Sequence, residues 1–257
     1  MGRGFEPHPP HRQVAAVSQP VGRRPLRRRR HAGHSVLMPI EAVVFDWGGV
    51  LAGGGHRQTG EIEQRLGVPS GSLPGLMGMH PCDTDRENLW HLRELGLATS
   101  LEWAHWYSAR VRAAGGVPLV TPEQIVANEA VVFCQPPNAV VLDTVRELHS
   151  DGYRLAICTN NWTEIGDVWR EGLPLELFDA VVVSCEIGCR KPDAEMFDHV
   201  TERLGVDPDS VVLVDDFEAN LDGARRAGWH AVLVGSDHEA AMTALANLLT
   251  ENPRAPA

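Results

Sequence analysis

The sequence predicts an α/β fold: a doubly wound parallel sheet with a helical cap inserted after the first strand. From Met38 onward, short apolar runs alternate with helix-length amphipathic segments, the pattern left by strands and crossover helices. The runs are nearly unbroken Val, Leu and Ile, which is what strands covered on both faces require. About 100 residues separate the first run from the second, far more than a single crossover needs.

The strands expected in order are "EAVVFD" (41–46), "YRLAIC" (153–158), "DAVVV" (179–183), "SVVLVDD" (210–216) and "HAVLVG" (230–235). In "NAVVLDTVRELHS" the side chain of Asn138 is placed to cap a helix whose Val141, Val145 and Leu148 share one face. "DAEMFDHVTERLGV" repeats the pattern with Phe197, Val200 and Leu204. Inside the long insertion, "RQTGEIEQRLGV" and "SLEWAHWYSARVRAAGG" read as helices. The chain is expected to return to the core at "CQPPN", where Pro136 and Pro137 stiffen it. The aromatics Trp90, Trp103, Trp106 and Tyr107 of the insertion are expected as its core. The resulting division is residues 1–37 as an extension, 38–55 with 136–257 as the core, and 56–135 as the cap.

Composition narrows the function. The 257 residues are 43% hydrophobic, enough for a sizeable core, and no apolar stretch approaches the roughly 18 residues of a membrane span. Five cysteines show neither paired zinc spacing nor a disulfide framework, so a reducing cytoplasm is the expected setting. Residues 1–37 hold eight Arg against one Glu, whereas the remainder carries 15 basic and 33 acidic side chains. A folded part this acidic is no nucleic-acid surface. The Arg-rich head lacks periodicity and large apolar residues and is expected as a disordered extension; a nucleic-acid arm and a transit peptide are the alternatives.

In open parallel sheets, ligands bind beyond the carboxyl ends of the strands, and here four strand ends carry reactive groups. The first ends in Asp46, the second in Thr159 and Asn160, the third leads into "SCEIGCRKPD" with Lys191, and the fourth ends in Asp215 and Asp216. A strand-terminal Asp is commonly a turn former and Thr-Asn a helix cap; four such ends in one sheet point to a site. Lys191 is the one lysine beside 22 arginines, which suggests a position demanding a compact ammonium rather than a planar fork. The chemistry these groups suggest is phosphoryl transfer. Asp46 would attack, forming an aspartyl-phosphate. Lys191 and a Mg²⁺ ion held by Asp46 and Asp216 would offset the converging negative charge, and Thr159 and Asn160 would hold the nonbridging oxygens.

Four stretches carry a resemblance to the haloacid dehalogenase superfamily of hydrolases, over roughly residues 40 to 236: "VFDWGGVL", "AICTNNW", "SCEIGCRKPDAEMF" and "VVLVDDFEANLDGARRAGW". The run Asp-x-Gly-Gly-Val-Leu with Thr-Asn-Asn-Trp is similar to the phosphatase domain attached to some soluble epoxide hydrolases and to its stand-alone bacterial relatives. The resemblance implies a Rossmann-like core with a helical cap, Asp46 as nucleophile, Thr159 and Asn160 on phosphate, Lys191 neutralising charge, and Asp216 on Mg²⁺ with Asp215 in support. Phosphatases of this superfamily usually place a second Asp two residues after the nucleophile to protonate the leaving group, and here Gly48 stands there. Its backbone carbonyl is still a candidate metal ligand. Two readings follow: a Mg²⁺-dependent phosphatase for a small phosphorylated metabolite, or a noncatalytic phosphate-binding or scaffold protein lacking the general acid. For a catalyst, Glu186 or a cap histidine (His80, His91, His105) would be the substitute proton sources. Chain order argues against a receiver domain, in which the acidic pair precedes the phosphorylated Asp and no cap is inserted, and a dinucleotide or nucleotide loop fails because neither G-x-G-x-x-G nor G-K-[ST] is present.

Overall fold

The structure, a computed structural model, describes residues 39–53, 59–79 and 88–254. The expected extension over residues 1–37, the 55/56 boundary and His80 lie outside the described residues. Five strands form one parallel sheet: β1 (Ala42–Phe45), β2 (Arg154–Thr159), β3 (Ala180–Val183), β4 (Val211–Asp215) and β5 (His230–Leu233), in the order β3-β2-β1-β4-β5. Each coincides with one of the five runs read as strands. The first strand is central, with Phe45 opposite Ile157 on one side and Val214 on the other.

Side chains alternate across the sheet, and the pleat sorts the core into two layers. Val43, Phe45, Leu155, Ile157 and Val214 pack with Val141, Val145 and Leu148 of helix α7 (Ala139–Ser150) and Leu245 of α11 (His238–Glu251). Ala42, Val44, Ala156 and Leu213 pack with Phe197, Val200 and Leu204 of α9 (Ala194–Leu204) and Leu221 of α10 (Glu218–Arg226). Helices cover both faces, as the apolar runs require. Asn138 caps α7, its Oδ1 accepting from the N–H groups of Val140 and Val141 at 3.1 and 3.4 Å.

Between β1 and α7 the chain forms six helices among the described residues: α1 (Thr59–Leu66), α2 (Leu73–Met77), α3 (Leu89–Glu94), α4 (Ser100–Ala113), α5 (Pro122–Ala127) and α6 (Glu129–Phe133). The first and fourth are the two read from periodicity; the others are five or six residues long, too short to show a period. The short α8 (Ser184–Ile187) follows β3. The outgoing and returning chains lie side by side. Gly53 N donates to Pro136 O at 2.9 Å and Asn138 N to Leu51 O at 2.8 Å, around an antiparallel bridge of Ala52 with Pro137.

Trp90 and Trp103 are buried and meet edge to face at 5.4 Å between centroids, while Trp106 and Tyr107 are partly buried beside them. Cys134, Cys158, Cys185 and Cys189 are free thiols. No helix among the described residues is long and apolar enough to cross a membrane.

Candidate active site

Order along the sheet fixes where a site forms. From β1 the chain moves outward through β2 to β3, then returns to lay β4 on the other side of β1. The crossovers on either side of β1 run in opposite directions, and a crevice opens beyond the carboxyl ends of β1 and β4. Asp46 follows β1 directly, and Asp215 closes β4. Asp46 N donates to Val214 O at 2.9 Å, so the strand pairing itself sets the position of Asp46.

Immediately after Asp46 the chain turns over Trp47–Leu51. Gly49 has φ 76°, and a Cβ there would stand 2.2 Å from Oδ2 of Asp216, so a glycine is what lets the two loops meet. Gly48 is different: φ −68° and ψ 127° suit any residue, and no atom lies within 4 Å of where its Cβ would be. The ring Nε2 of His238, at the start of α11, donates to the Gly49 carbonyl at 3.0 Å and pins the turn. Trp47 packs on Trp169 with ring centroids 5.6 Å apart.

The charged centre is buried. Lys191 is fully enclosed, its Nζ 2.5 Å from Oδ2 of Asp215 and 3.0 Å from Oδ1 of Asp46. Oδ1 of Asp46 also accepts from Trp47 N at 2.7 Å, so the interactions of the Asp46 carboxylate converge on that one oxygen. Asp215 is saturated: its Oδ1 takes Phe217 N at 2.8 Å and Asn220 Nδ2 at 3.0 Å. Burial pulls the Lys191 pKa down, and the charges of Asp215 and Asp46 outweigh it, holding the ammonium above its ordinary range. The Asp46 carboxyl is pushed up to about 8, first by burial and then by the charges of Asp215 and Asp216, against the pull of Lys191. Oxygens of Asp46, Asp215 and Asp216 all lie within 4.8 Å of one another. Three acidic groups share one ammonium, so a divalent cation among them would favour their ionised forms, and an all-oxygen donor set suits a hard cation. By donor chemistry and charge, the residues present fit Mg²⁺.

A cavity of about 230 Å³ adjoins this centre, lined by Asp46, Gly48, Gly49, Thr159, Asn160 and Asp216 on the sheet side. Thr159 is buried with its Oγ1 unpaired among the described residues, an orphan hydroxyl beside the carboxylates. Asn160 lines the same cavity. Its carboxamide is exchanged with the backbone of Lys191, Nδ2 donating to Lys191 O at 3.0 Å and Oδ1 accepting from Lys191 N at 2.8 Å. The side chain therefore places Lys191 rather than standing free for a ligand.

The opposite wall comes from the inserted helices and the loop after β2: Leu73, Met77, Met79, Trp90, Phe133 and Trp162. Trp90 is thus both core and cavity wall. Among the described lining residues there is no histidine: His91 is buried elsewhere, and His105 lies on the surface 3.8 Å from Glu123. Glu186 pairs with Arg170 at 2.8 Å, outside the cavity. Two charged lining residues escaped the sequence reading, Glu94 and Arg190. They are 96 residues apart in the chain, and nothing local to either stretch announces that they meet.

The family model of the haloacid dehalogenase-like hydrolases matches residues 40–228, and the chain belongs to that family. Bifunctional epoxide hydrolase 2 of Rattus norvegicus is 29% identical over 238 residues, 85% of this chain and 41% of that protein. Glyceraldehyde 3-phosphate phosphatase of Methanothermobacter thermautotrophicus is 36% identical over 98 residues, 37% of this chain and 42% of that protein. The chain therefore spans about two fifths of the length of these relatives. Among solved structures, a family enzyme from Bacteroides thetaiotaomicron in complex with magnesium and inorganic phosphate superposes with a TM-score of 0.52 at 22% identity, covering 77% of this chain and 96% of that one.

Proposed function

We propose that the chain is a Mg²⁺-dependent phosphomonoester hydrolase acting on a small phosphorylated metabolite through an aspartyl-phosphate on Asp46. The observation that carries this reading is the convergence of Asp46, Lys191 and Asp216 at one end of the sheet, with the unpaired Thr159 hydroxyl on the same cavity. The phosphatase among the relatives and the magnesium and phosphate bound by the Bacteroides enzyme support it.

In this account Oδ1 of Asp46 is fixed by Trp47 N and Lys191, and Oδ2 attacks phosphorus. The ester P–O bond breaks, and the departing oxygen takes its proton from water, since Gly48 supplies none. Water then cleaves the acyl phosphate, releasing inorganic phosphate and restoring Asp46. Lys191 and the Thr159 hydroxyl hold the transferred oxygens, and Asn160 acts by fixing Lys191 and through its own backbone. Mg²⁺ would be held by Asp46, Asp216 and the Gly48 carbonyl, with Asp215 behind them, and supplies charge neutralisation at the phosphoryl oxygens. The helices over residues 56–135 serve as the cap that closes the leaving-group side.

The glycine at position 48 keeps a second reading in play, a phosphate binder without turnover. Phosphate release from p-nitrophenyl phosphate separates the two. Hydrolysis that requires Mg²⁺ and disappears in Asp46→Asn is the catalytic result; phosphate binding without release is the other.

A further inference from the structure

Arg190 and Lys191 are adjacent in the chain and point to different partners. Lys191 reaches inward to Asp46 and Asp215. Arg190 turns toward the inserted helices, where its Nε donates to Oε2 of Glu94 on α3 at 2.6 Å, and both side chains are at most 9% exposed. Glu94 is itself held in place, because its Oε1 accepts from the indole Nε1 of Trp90 at 2.7 Å.

Arg190 is bonded through Nε alone. Among the described residues its two terminal amino groups have no hydrogen-bond partner, yet the residue lines the cavity. The wall there is largely apolar, with Trp90, Phe133 and Trp162, and carries Glu94 and Gln135 beside them. A guanidinium offering an open, planar pair of donors from such a wall is matched by a carboxylate, which it grips bidentately. The transferred phosphoryl group is served by Lys191 and Thr159, and Glu94 draws Arg190 to the side where the inserted helices face the cavity.

We propose that Arg190, oriented by Glu94, is a specificity-determining residue that binds a carboxylate on the leaving-group portion of the substrate, so that the site selects phosphate esters of hydroxy acids. The assignment rests on the phosphatase reading above. Glu94 is a positioning residue in it, since it acts through Arg190.

The test compares two aryl esters whose leaving groups are of similar acidity, 4-carboxyphenyl phosphate and phenyl phosphate, with Mg²⁺. A charge-assisted pair of hydrogen bonds corresponds to about 10- to 100-fold in kcat/KM, so wild type is expected to prefer the carboxylated ester by that factor. In Arg190→Leu the ratio falls to near one, and in Glu94→Gln it takes an intermediate value. Arg190→Gln, which keeps a polar side chain of similar reach, is read by the same ratio if the leucine variant does not fold. A wild-type ratio near one overturns the proposal. So does an Arg190 variant that loses both activities in parallel with the ratio intact, the mark of a structural role. If wild type turns over neither ester, the phosphatase reading fails, and calorimetry with 4-hydroxybenzoate and phenol judges Arg190 separately. Tighter binding of the acid that is lost in Arg190→Leu upholds it, and equal binding overturns it.

Discussion

The ammonium of Lys191 lies 3.0 Å from Oδ1 of Asp46, inside a protein interior that leaves the lysine side chain no exposure. In the proposed reaction an ammonium at that distance would hold the Asp46 carboxylate in position for attack and lower the cost of bringing a phosphate dianion to it. It also ties the site to the stability of the fold, because the same ammonium is the partner of the fully buried Asp215.

Replacing Lys191 by Met strands that buried carboxylate. Breaking one side of a buried ion pair costs about 3–5 kcal/mol, so Lys191→Met is expected to lower the unfolding free energy by that amount in urea titration. Lys191→Met with Asp215→Asn should recover a substantial part of it. A single variant as stable as wild type would mean that the pair is not a stability element.

The two glycines after Trp47 are expected to respond in opposite ways. Gly48 has an ordinary φ and open space beyond its Cα, so Gly48→Asp should fold with an unchanged melting temperature. A carboxyl there can protonate a leaving oxygen, an assistance of about 10²- to 10⁴-fold, felt by alkyl phosphates and scarcely by aryl ones. At Gly49 a Cβ would run into Asp216 in a left-handed turn, so Gly49→Ala should cost both stability and turnover. Equal rates on alkyl and aryl phosphates in the wild type would show that the proton already has another source.

Magnesium should stabilise the folded chain by mass action, by about 2.7 kcal/mol at a hundredfold excess over Kd. Thermal melts are expected to shift upward with added Mg²⁺ in wild type and to stay put in Asp216→Asn. A shift that survives in that variant would place the ion elsewhere.

Glu63 gives a pH-dependent stability outside the site. Its oxygens accept from Leu73 N and Gly71 N, each at 2.8 Å, and these bonds, Leu73 first, hold its carboxyl below the ordinary range against the opposing push of burial. A depressed carboxylate contributes stability above its unfolded pKa and loses it as the pH falls through the folded one. The melting gap between wild type and Glu63→Gln should therefore be full at neutral pH and close on acidification. A gap that does not change with pH would contradict the assignment.

Much of the sheet was legible because parallel strands are buried on both faces and so read as apolar runs, three of which end on a polar side chain that is itself buried at the site. Asp46, Thr159 and Asp215 are such endings, and the single lysine marked the place where a compact cation sits between two carboxylates at 2.5 and 3.0 Å. Contacts created by tertiary packing were not legible. Nothing local to "LWHLRE" announces that Glu94 meets Arg190, and His238 binds the Gly49 carbonyl across 189 residues. The side-chain orientation of Asn160 likewise depends on a loop 31 residues further on. Of the two glycines after Trp47, the left-handed residue is Gly49, which nothing in the local sequence distinguishes from Gly48.

The central claim is that Asp46 becomes phosphorylated, and trapping that bond tests it most directly. Wild-type protein mixed with p-nitrophenyl phosphate and Mg²⁺, quenched in acid during turnover and mapped by peptide mass spectrometry, should carry a phosphoryl group on Asp46 that hydroxylamine converts to a hydroxamate. Turnover with Asp46 unmodified throughout, or with the phosphoryl group on another residue, would contradict the account.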